Sequence, residues 1–241
     1  MSEITVIIPV YNLVQRGWQR VVSSIQSLEM QSYKPSIVVV DGSGDVQYKI
    51  LAKAIEVFHV KHIHFPMDEF NLPALYNAAI RQSLTKWILC TGADFLFSKD
   101  MMEICLKYAD DKRILFKEVG MLPNVNITRA RVAAWNMKGW TYNRFGKLAN
   151  GAIQFTSRKW FMNNPHDERL SGWGAMDNML AYQALKSSLE IFWIPRGEGD
   201  VLHQWHPAEK FRTKELKEKF EINQRILKEF KEKHKLPEVL A

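Results

Sequence analysis

Length, composition and charge exclude several classes of protein. The chain has 241 residues, of which 46% are hydrophobic and 24% charged, so it lacks the composition typical of disordered chains. The formal net charge of +7 favours an anionic ligand or surface, without choosing between a polyanion, a membrane face and a phosphorylated substrate. Two cysteines, Cys90 and Cys105, are too few for a disulfide framework or a four-cysteine zinc site, and we expect both in the core.

Targeting signals are not evident in the sequence. Residues 1–4 lack the basic and apolar regions of a signal peptide, and no apolar run approaches the ~20 residues that cross a bilayer. We therefore expect a soluble, cytoplasmic protein.

Short apolar runs alternate with helical patterns over the first 118 residues. The sequence predicts strands and helices in turn, at residues 4–10, 16–30, 36–40, 47–58, 60–65, 72–84, 86–91 and 99–109. This alternation is typical of βαβ units in a parallel sheet with helices on both faces. Ligands of such sheets bind beyond the carboxyl ends of the strands, which points to residues 9–12, 41–45 and 92–95.

The alternation of strand and helix patterns becomes less regular after residue 120, and residues 122–148 show only weak periodicity. Further on, the sequence predicts a helix at 177–186, a strand at 189–194 and a long charged helix at 208–235. The 48 residues of 119–166 contain seven basic side chains, three tryptophans and no acidic side chain. Such a stretch favours an anionic ligand, and a basic surface over buried tryptophans is the alternative.

Four patches, taken in chain order, resemble the GT-A glycosyltransferases, above all the large family 2 group. They are residues 4–12 (ITVIIPVYN), 39–45 (VVDGSGD), 92–94 (GAD) and 172–177 (GWGAMD). Residues 75–79 (LYNAA) also resemble a helix start of the family, with Tyr76 where Arg is usual. The resemblance implies an α/β fold with a GT-A (Rossmann-like), mostly parallel sheet flanked by helices, and a C-terminal helical extension.

The same resemblance implies a division of the chain. Residues 1–207 would form the glycosyltransferase domain, with a nucleotide-binding half at 1–118 and an acceptor-binding half at 119–207. A basic helix would follow at 208–241. We expect that helix to pack along the catalytic domain, and a partner helix or peripheral contact with an anionic membrane is the alternative.

The first two patches would hold the nucleotide. By resemblance, Pro9, Tyr11 and Asn12 would frame it through the backbone. Asp41 would accept a hydrogen bond from the base, typically from uracil N3–H. We expect its carboxylate to lie on a strand-end turn and to stay solvated until a ligand binds. An ordinary Asp-Gly turn is the alternative for Asp41.

The third patch stands where the family has Asp-x-Asp. Asp94 would bind a divalent cation, Mn²⁺ or Mg²⁺, that bridges the two phosphates. Gly92 replaces the first carboxylate of the motif, which leaves ribose recognition unassigned; Gly92 and Ala93 are still expected to line the donor site. His203 is the predicted second metal ligand, preferred over His206 by its family position alone, and an imidazole suits Mn²⁺ better than Mg²⁺.

The fourth patch resembles the Gly-Trp-Gly-x-Glu-Asp signature of β-1,4-galactosyltransferases and chondroitin-type polymerases. Asp177 would be the general base that takes the acceptor proton during an inverting displacement. Trp173 would stack against a sugar ring, with Gly174 beside it in the substrate site, and Met176 stands where Glu is usual. A structural role, with the aromatic packing a helix start and Asp177 capping it, is the alternative.

The sequence therefore predicts a hexosyltransferase of class EC 2.4. It would move a sugar from a nucleotide-sugar donor, expected to be a UDP-sugar, to the hydroxyl of a glycan or another acceptor. The transfer would proceed with inversion and depend on Mn²⁺ (or Mg²⁺). A retaining enzyme and a catalytically inactive sugar-nucleotide or glycan-binding domain are the alternatives. No nucleic-acid partner is expected, because no recognition motif accompanies the basic stretch. His59, His62 and His64 are interpreted as strand residues split between two faces rather than as a zinc cluster.

Overall fold

The structure is a computed structural model that describes residues 2–13, 17–124, 152–172, 174–206 and 213–237, together with the backbone of 142–143. Its main sheet has seven strands: β1 (Ile4–Val10), β2 (Ser36–Asp41), β3 (Val60–His64), β4 (Trp87–Cys90), β6 (Arg113–Lys117), β9 (Gln154–Ser157) and β10 (Glu190–Ile194). Their order is β10-β6-β9-β4-β1-β2-β3. All neighbours pair in parallel except β9, which is antiparallel to both β4 and β6.

A smaller sheet lies beyond the end of β4. It comprises β5 (Phe95–Phe97), β7 (Val119–Met121), β8 (Tyr142–Asn143) and β11 (Val201–His203), in the order β5-β11-β7-β8. β11 pairs antiparallel with β5 and parallel with β7. This pairing carries residues from late in the chain to the turn that follows β4.

Seven helices are described: α1 (Gly17–Glu29), α2 (Asp45–Ile55), α3 (Leu72–Gln82), α4 (Met101–Tyr108), α5 (Arg158–Asn163), α6 (Met176–Lys186) and α7 (Lys214–His234). Side chains cap three of the starts, since Asn71 accepts from the Ala74 N–H at 2.9 Å, Ser157 from the Trp160 N–H at 3.3 Å and Thr213 from the Leu216 N–H at 3.2 Å. Within the described residues, none of the helices combines the length and the apolar character of a membrane span.

The core lies on both faces of the main sheet. All seven residues of β1 are buried, and they alternate between two apolar layers: Ile4, Val6 and Ile8 face one, and Ile7 faces the other. A strand buried on both faces needs a continuous apolar run, which is what the sequence of β1 supplies. Cys105 and Cys90 are free and buried in these layers, one in each, as expected.

The predicted α/β fold, with a mostly parallel sheet flanked by helices and a C-terminal helix, is confirmed. The sequence missed the short strands of the second sheet, as well as β6, β9 and α5. Strand β9 explains the mixed character of the main sheet, because it enters between β4 and β6 in the opposite direction. Much of the predicted irregular region lies outside the described residues, as do five of the seven bases of 119–166: Arg129, Arg131, Lys138, Arg144 and Lys147.

Candidate active site

Two strands of the smaller sheet bring Asp94 and His203 together. Strand β4 ends at Cys90, and the turn through Gly92 to Asp94 leads directly into β5. His203 ends β11 and pairs across the sheet with Phe95, the residue after Asp94. The backbone N–H of Gln204 donates to the Asp94 carbonyl at 2.8 Å, which fixes this register.

The carboxylate of Asp94 contacts two imidazoles. Its Oδ2 lies 2.8 Å from Nε2 of His206 and 3.3 Å from Nε2 of His203. The three side chains are each about one-fifth exposed, and their potential ligand atoms lie within 4.8 Å of one another. Burial alone would raise the pKa of Asp94, but the hydrogen bonds and charges of the two histidines outweigh it and hold that pKa well below its usual range.

This cluster fits a divalent cation by its chemistry. The Nδ1 of His203 is buried and has no hydrogen-bond partner among the described residues, whereas its Nε2 faces Asp94. Nε2 is therefore the nitrogen of His203 that could share a cation with that carboxylate. The ring of Phe95 packs edge-on against His203, with centroids 5.2 Å apart. One carboxylate oxygen and two imidazole nitrogens form a donor set that suits Mn²⁺ better than Mg²⁺, which prefers oxygen ligands.

The preference for His203 over His206 is not supported by the geometry. Both imidazoles lie on the same carboxylate oxygen, and His206 makes the shorter contact. The sequence placed them three residues apart after a predicted strand, a spacing that leaves open which one turns towards Asp94.

The missing first carboxylate also has a structural explanation. A Cβ built on Gly92 would lie 2.7 Å from a ring carbon of Phe95 and 3.2 Å from Oδ1 of Asp94. An aspartate at position 92 therefore requires the Phe95 ring to shift. Gly92 and Ala93 lie in the turn as expected, and the side chain of Ala93 packs against the apolar core.

Asp41 lies at the carboxyl end of β2, but the expectation of a solvated carboxylate is wrong. Asp41 is 1% exposed. Its Oδ1 accepts from the Ser43 N–H at 2.8 Å, and its Oδ2 lies 3.3 Å from Nε2 of His62. Burial would raise the pKa of Asp41, whereas the bonds from His62 and Ser43 lower it below its usual value, so the group is ionised.

The predicted nucleotide loops are neighbours in space. Val10 pairs with Asp41, and Pro9 with Val40. The backbone N–H of Asn12 donates to Oγ of Ser43 at 2.7 Å, and Asn12 adopts a φ of 40°. A small pocket beside these loops is lined by Leu13, Trp18, Asp41, Ser43, Gln47, Ile50 and Leu51.

Tyr11 points towards the start of α3. Its hydroxyl donates to the Asp68 carbonyl at 2.9 Å, and its ring lies 5.5 Å from that of Phe70. The prediction that the histidines of the β3 region split between two faces is wrong for His62 and His64, which lie two residues apart on β3 and both pack against Tyr48. His59, just before the strand, is exposed.

Asp177 is the second residue of α6, and its carboxylate does not cap that helix. The N-cap residue is Ala175, which has a left-handed φ of 65° and makes no side-chain capping bond. Instead, Nε2 of Gln154 donates to Oδ1 of Asp177 at 2.7 Å. Burial raises the pKa of Asp177 to about 7, although the bond from Gln154 partly opposes that rise.

Gln154 links Asp177 to the end of β4. It lies on β9 directly opposite Cys90, two residues before Gly92. The proposed base and the Asp94 cluster therefore lie beyond the same strand end. Gln154 belongs to no motif, and the sequence analysis missed it for that reason.

Tyr76 is a second residue that the sequence analysis left without a role. Its side chain is buried, and its hydroxyl donates to the Thr91 carbonyl at 3.1 Å. Burial raises the pKa of Tyr76 well above its ordinary value, and the charges of Cys90, Asp177 and Asp94 raise it further. The hydroxyl of Tyr76 therefore feels the charges of both Asp94 and Asp177. The sequence alone showed only that Tyr stands where the family usually has Arg.

The last predicted substrate residues flank the start of α6. Gly174 has a φ of 93°, a conformation that favours glycine. Trp173, the proposed sugar-stacking residue, lies outside the described residues.

Solved structures share this arrangement of sheets and helices. S. aureus TarS with UDP-GlcNAc matches with a TM-score of 0.65 and 14% identity, covering 97% of this chain and 72% of that one. GalNAc-T7 with UDP, GalNAc and Mn²⁺ matches at 0.66 and 15% identity, covering 97% and 54%. The mannosyltransferase PcManGT from Pyrobaculum calidifontis, with GDP-Man and Mn²⁺, matches at 0.59 and 17%, covering 87% and 58%. At these identities the likeness shows the fold, which is that of the GT-A glycosyltransferases.

Sequence comparison places the chain within that class. Residues 5–170 match the profile of glycosyl transferase family 2, and the chain belongs to this family. An uncharacterized glycosyltransferase of Rickettsia conorii and one of Rickettsia felis are each 30% identical to it over 117 residues. The matched segment covers 48% of this chain but 18% of the length of each relative.

Proposed function

We propose that this chain is a metal-dependent, inverting glycosyltransferase. It moves a sugar from a nucleotide-sugar donor, a UDP-sugar, to the hydroxyl of a glycan or other acceptor. Membership of glycosyl transferase family 2 supports the reaction class. The observation that carries the proposal is that Asp177 and the Asp94 cluster both lie near the carboxyl end of β4. Asp177 is bonded to Gln154, which pairs with Cys90 at that end, and the Asp94 cluster follows the turn after Cys90.

Asp94, His203 and His206 would hold Mn²⁺. The cation, when bound, neutralises charge on the diphosphate of the donor. The low pKa of Asp94 keeps its carboxylate ionised and ready to bind at neutral pH. Oxygen and nitrogen donors together favour Mn²⁺ over Mg²⁺. Mn²⁺ also accompanies the nucleotides in GalNAc-T7 and PcManGT.

Asp177 would take the proton of the acceptor hydroxyl. A general base works best when its pKa lies near the working pH, and the pKa of Asp177 is about 7. An aspartate at this position supports inversion, because in-line attack needs a base on the acceptor side of the sugar. Resemblance of residues 172–177 to the β-1,4-galactosyltransferase motif supports the same assignment, with Trp173 and Gly174 on the acceptor side.

The ionised Asp41 would accept a hydrogen bond from the base of the donor. Its carboxylate is held by Ser43 and His62, so it is oriented before a ligand arrives. Uracil offers the N3–H that such an acceptor needs. Two of the solved neighbours hold a uridine nucleotide and one holds GDP-Man, which makes UDP the first choice and GDP the second.

One observation favours a binding domain without catalysis as the second candidate. The carboxylate that often contacts the ribose is replaced by Gly92, and the Phe95 ring would have to shift to make room for it. A binding domain would take up UDP-sugar and release no UDP.

The division of the chain forms part of the proposal. The family profile ends at residue 170, whereas Asp177, His203 and His206 lie beyond it. We assign residues 1–207 to the glycosyltransferase domain and 208–241 to a helical extension, with 1–118 on the nucleotide side and 119–207 on the acceptor side.

Thermal unfolding in the presence of UDP-, GDP-, CDP- and TDP-sugars, each with and without Mn²⁺, tests the donor assignment. A ligand that binds the folded state alone raises the Tm. We expect the largest rise with a UDP-sugar and Mn²⁺ together. An equal rise without the cation would contradict the metal site. A preference for CDP-sugars would contradict the role of Asp41, because N3 of cytosine carries no hydrogen, and a preference for TDP-sugars would contradict uracil as the base while leaving the role of Asp41 open to thymine N3–H.

A further inference from the structure

Helix α7 lies beyond the segment that matches the family, yet it contacts the backbone next to Asp177. We propose that Asn223 and Phe220 of α7 are positioning residues. They hold the loop residues described before α6, namely Ser171, Gly172, Gly174 and Ala175, in the conformation that directs Asp177 into the site. The proposal rests on the role assigned to Asp177 above.

Asn223 binds the loop on both sides of position 173. Its side chain is buried, with 1% exposure. Oδ1 of Asn223 accepts from the Ser171 N–H at 3.3 Å, while Nδ2 donates to the Ser171 carbonyl at 2.8 Å and to the Gly174 carbonyl at 3.3 Å. A buried amide is costly unless it is bonded, so these contacts hold helix and loop together.

Phe220 packs against Gly174 so closely that only glycine fits. A Cβ at position 174 would overlap with the Phe220 ring, lying 2.6 Å from Cε2 and closer still to Cδ2. The φ of 93° at Gly174 also disfavours any other residue. Two independent constraints thus require glycine here, and one of them is the ring from α7.

The loop is also held on the side facing α3. The Gly172 N–H donates to the Phe70 carbonyl at 3.0 Å. Lys219 of α7 lies over Gly172, with its side-chain carbons 3.5 Å from a Cβ built there. The Nζ of Lys219 pairs with Glu69 at 2.9 Å, which ties α7 to the segment before α3.

The held loop determines where α6 begins. Ala175 takes a left-handed φ of 65°, and its carbonyl accepts from the Met179 N–H at 2.7 Å to start the helix. Asp177 follows two residues later. A change in the loop backbone therefore changes the direction of the Asp177 carboxylate, while the Asp94 cluster on β5 and β11 stays in place.

Hydrogen exchange tests the contact directly and needs no activity. Asn223→Leu keeps the size of the side chain but removes its hydrogen bonds to Ser171 and Gly174. We expect the amides of 171–176 to exchange at least about tenfold faster than in the wild type, with the amides of β1 unchanged. Gln224→Leu, the neighbouring amide on the exposed face of α7, is the matched control and should leave exchange unchanged. Equal exchange in Asn223→Leu and wild type would overturn the proposal.

Kinetic measurements then test whether the contact between Asn223 and the residues before α6 positions Asp177 for the transfer reaction. With a UDP-sugar, Mn²⁺ and an acceptor, Asn223→Leu should lower kcat by about tenfold or more, whereas the Kd for UDP with Mn²⁺ should stay within about twofold of wild type. An equal loss of UDP affinity would indicate a general structural role and overturn the positioning role. An absence of transfer by the wild type would contradict the proposed function, while the exchange result would still decide the contact.

A milder variant covers the case in which Asn223→Leu does not fold. Asn223→Asp retains the acceptor for the Ser171 N–H and loses the donor to the Ser171 and Gly174 carbonyls. We expect it to speed exchange at 171–176 by a smaller factor than the leucine variant. Wild-type exchange in a folded Asn223→Asp would contradict the bonds from Nδ2.

Discussion

The side-chain amide of Gln154 donates a hydrogen bond of 2.7 Å to Oδ1 of Asp177. Gln154 lies opposite Cys90 on the neighbouring strand, so this bond ties the proposed base to the strand that leads to Asp94. It also stabilises the charged form of a carboxylate whose pKa burial raises to about 7. Without the bond, that pKa would be higher still.

Gln154→Leu should therefore move the acidic limb of the pH–rate profile to higher pH. A bond to a charged group contributes about 1.5 kcal/mol, which corresponds to about one pH unit. The profile of kcat/KM against pH measures the shift. Thr156→Val, on the same strand but bonded to the Arg113 carbonyl, is the control and should leave the limb in place. An unchanged limb in Gln154→Leu would mean that Asp177 is not the group titrating.

Asp177→Asn should make the protein more stable at high pH. The folded state favours the protonated carboxyl, so its contribution is full below the ordinary pKa of 3.8 and is lost as the pH rises through about 7. Asparagine has no proton to lose and can still accept from Gln154. We expect the Tm of the variant to exceed that of wild type above pH 7, with the difference narrowing towards pH 5. Thermal unfolding across that range measures it, and a constant difference would contradict the raised pKa.

The Asp94 cluster should bind Mn²⁺ through all three side chains. Asp94→Asn, His203→Ala and His206→Ala should each weaken binding of Mn²⁺, measured calorimetrically in the presence of UDP, by at least about tenfold, or about 1.4 kcal/mol. His59→Gln is the control, because His59 is exposed and lies outside the cluster, and this variant should bind Mn²⁺ as the wild type does. Full affinity in His206→Ala would restore the choice of His203 as the single imidazole ligand.

Tyr76→Phe should loosen the turn that carries Asp94. The substitution leaves the buried Thr91 carbonyl without the hydroxyl that bonds it at 3.1 Å. The expected loss of stability is about 1 kcal/mol, measured by denaturant unfolding. Mn²⁺ affinity should fall as well, because the Thr91 carbonyl lies three residues before Asp94. Tyr33→Phe, which removes a hydroxyl bonded to the Glu3 N–H, is the control for stability without an effect on the metal. Equal Mn²⁺ affinity in Tyr76→Phe and wild type would contradict a link between Tyr76 and the metal site.

The sequence predicted the parts of the fold that depend on local pattern. Strands β1 and β2 are apolar runs buried on both faces, and their bounds in the structure agree with the prediction to within one residue. Strands of three or four residues, such as β5 and β11, carry too few side chains to show a period. The antiparallel β9 was missed because its place in the sheet depends on pairing with β4 and β6, which lie far from it in sequence.

The residues of the candidate site divide in the same way, into those marked by a local pattern and those set by distant contacts. Asp94 and Asp177 could be singled out as candidates because each stands in a short contiguous patch that resembles a glycosyltransferase motif. Gln154, Tyr76 and Asn223 act through contacts between residues distant in sequence, and nothing near them marks those contacts. The buried state of Asp41 was likewise unpredictable, since the partner that covers its Oδ2 comes from the neighbouring strand β3.

Sugar transfer by the wild type and by Asp177→Asn tests the central claim most directly. The assay supplies UDP-glucose, UDP-galactose, UDP-GlcNAc and UDP-GalNAc with Mn²⁺ and a set of saccharide acceptors, and NMR gives the anomeric configuration of the product. We predict Mn²⁺-dependent transfer with inversion by the wild type, and a loss of at least about a hundredfold in Asp177→Asn. Undiminished transfer by Asp177→Asn, or a product with retained configuration, would contradict the account.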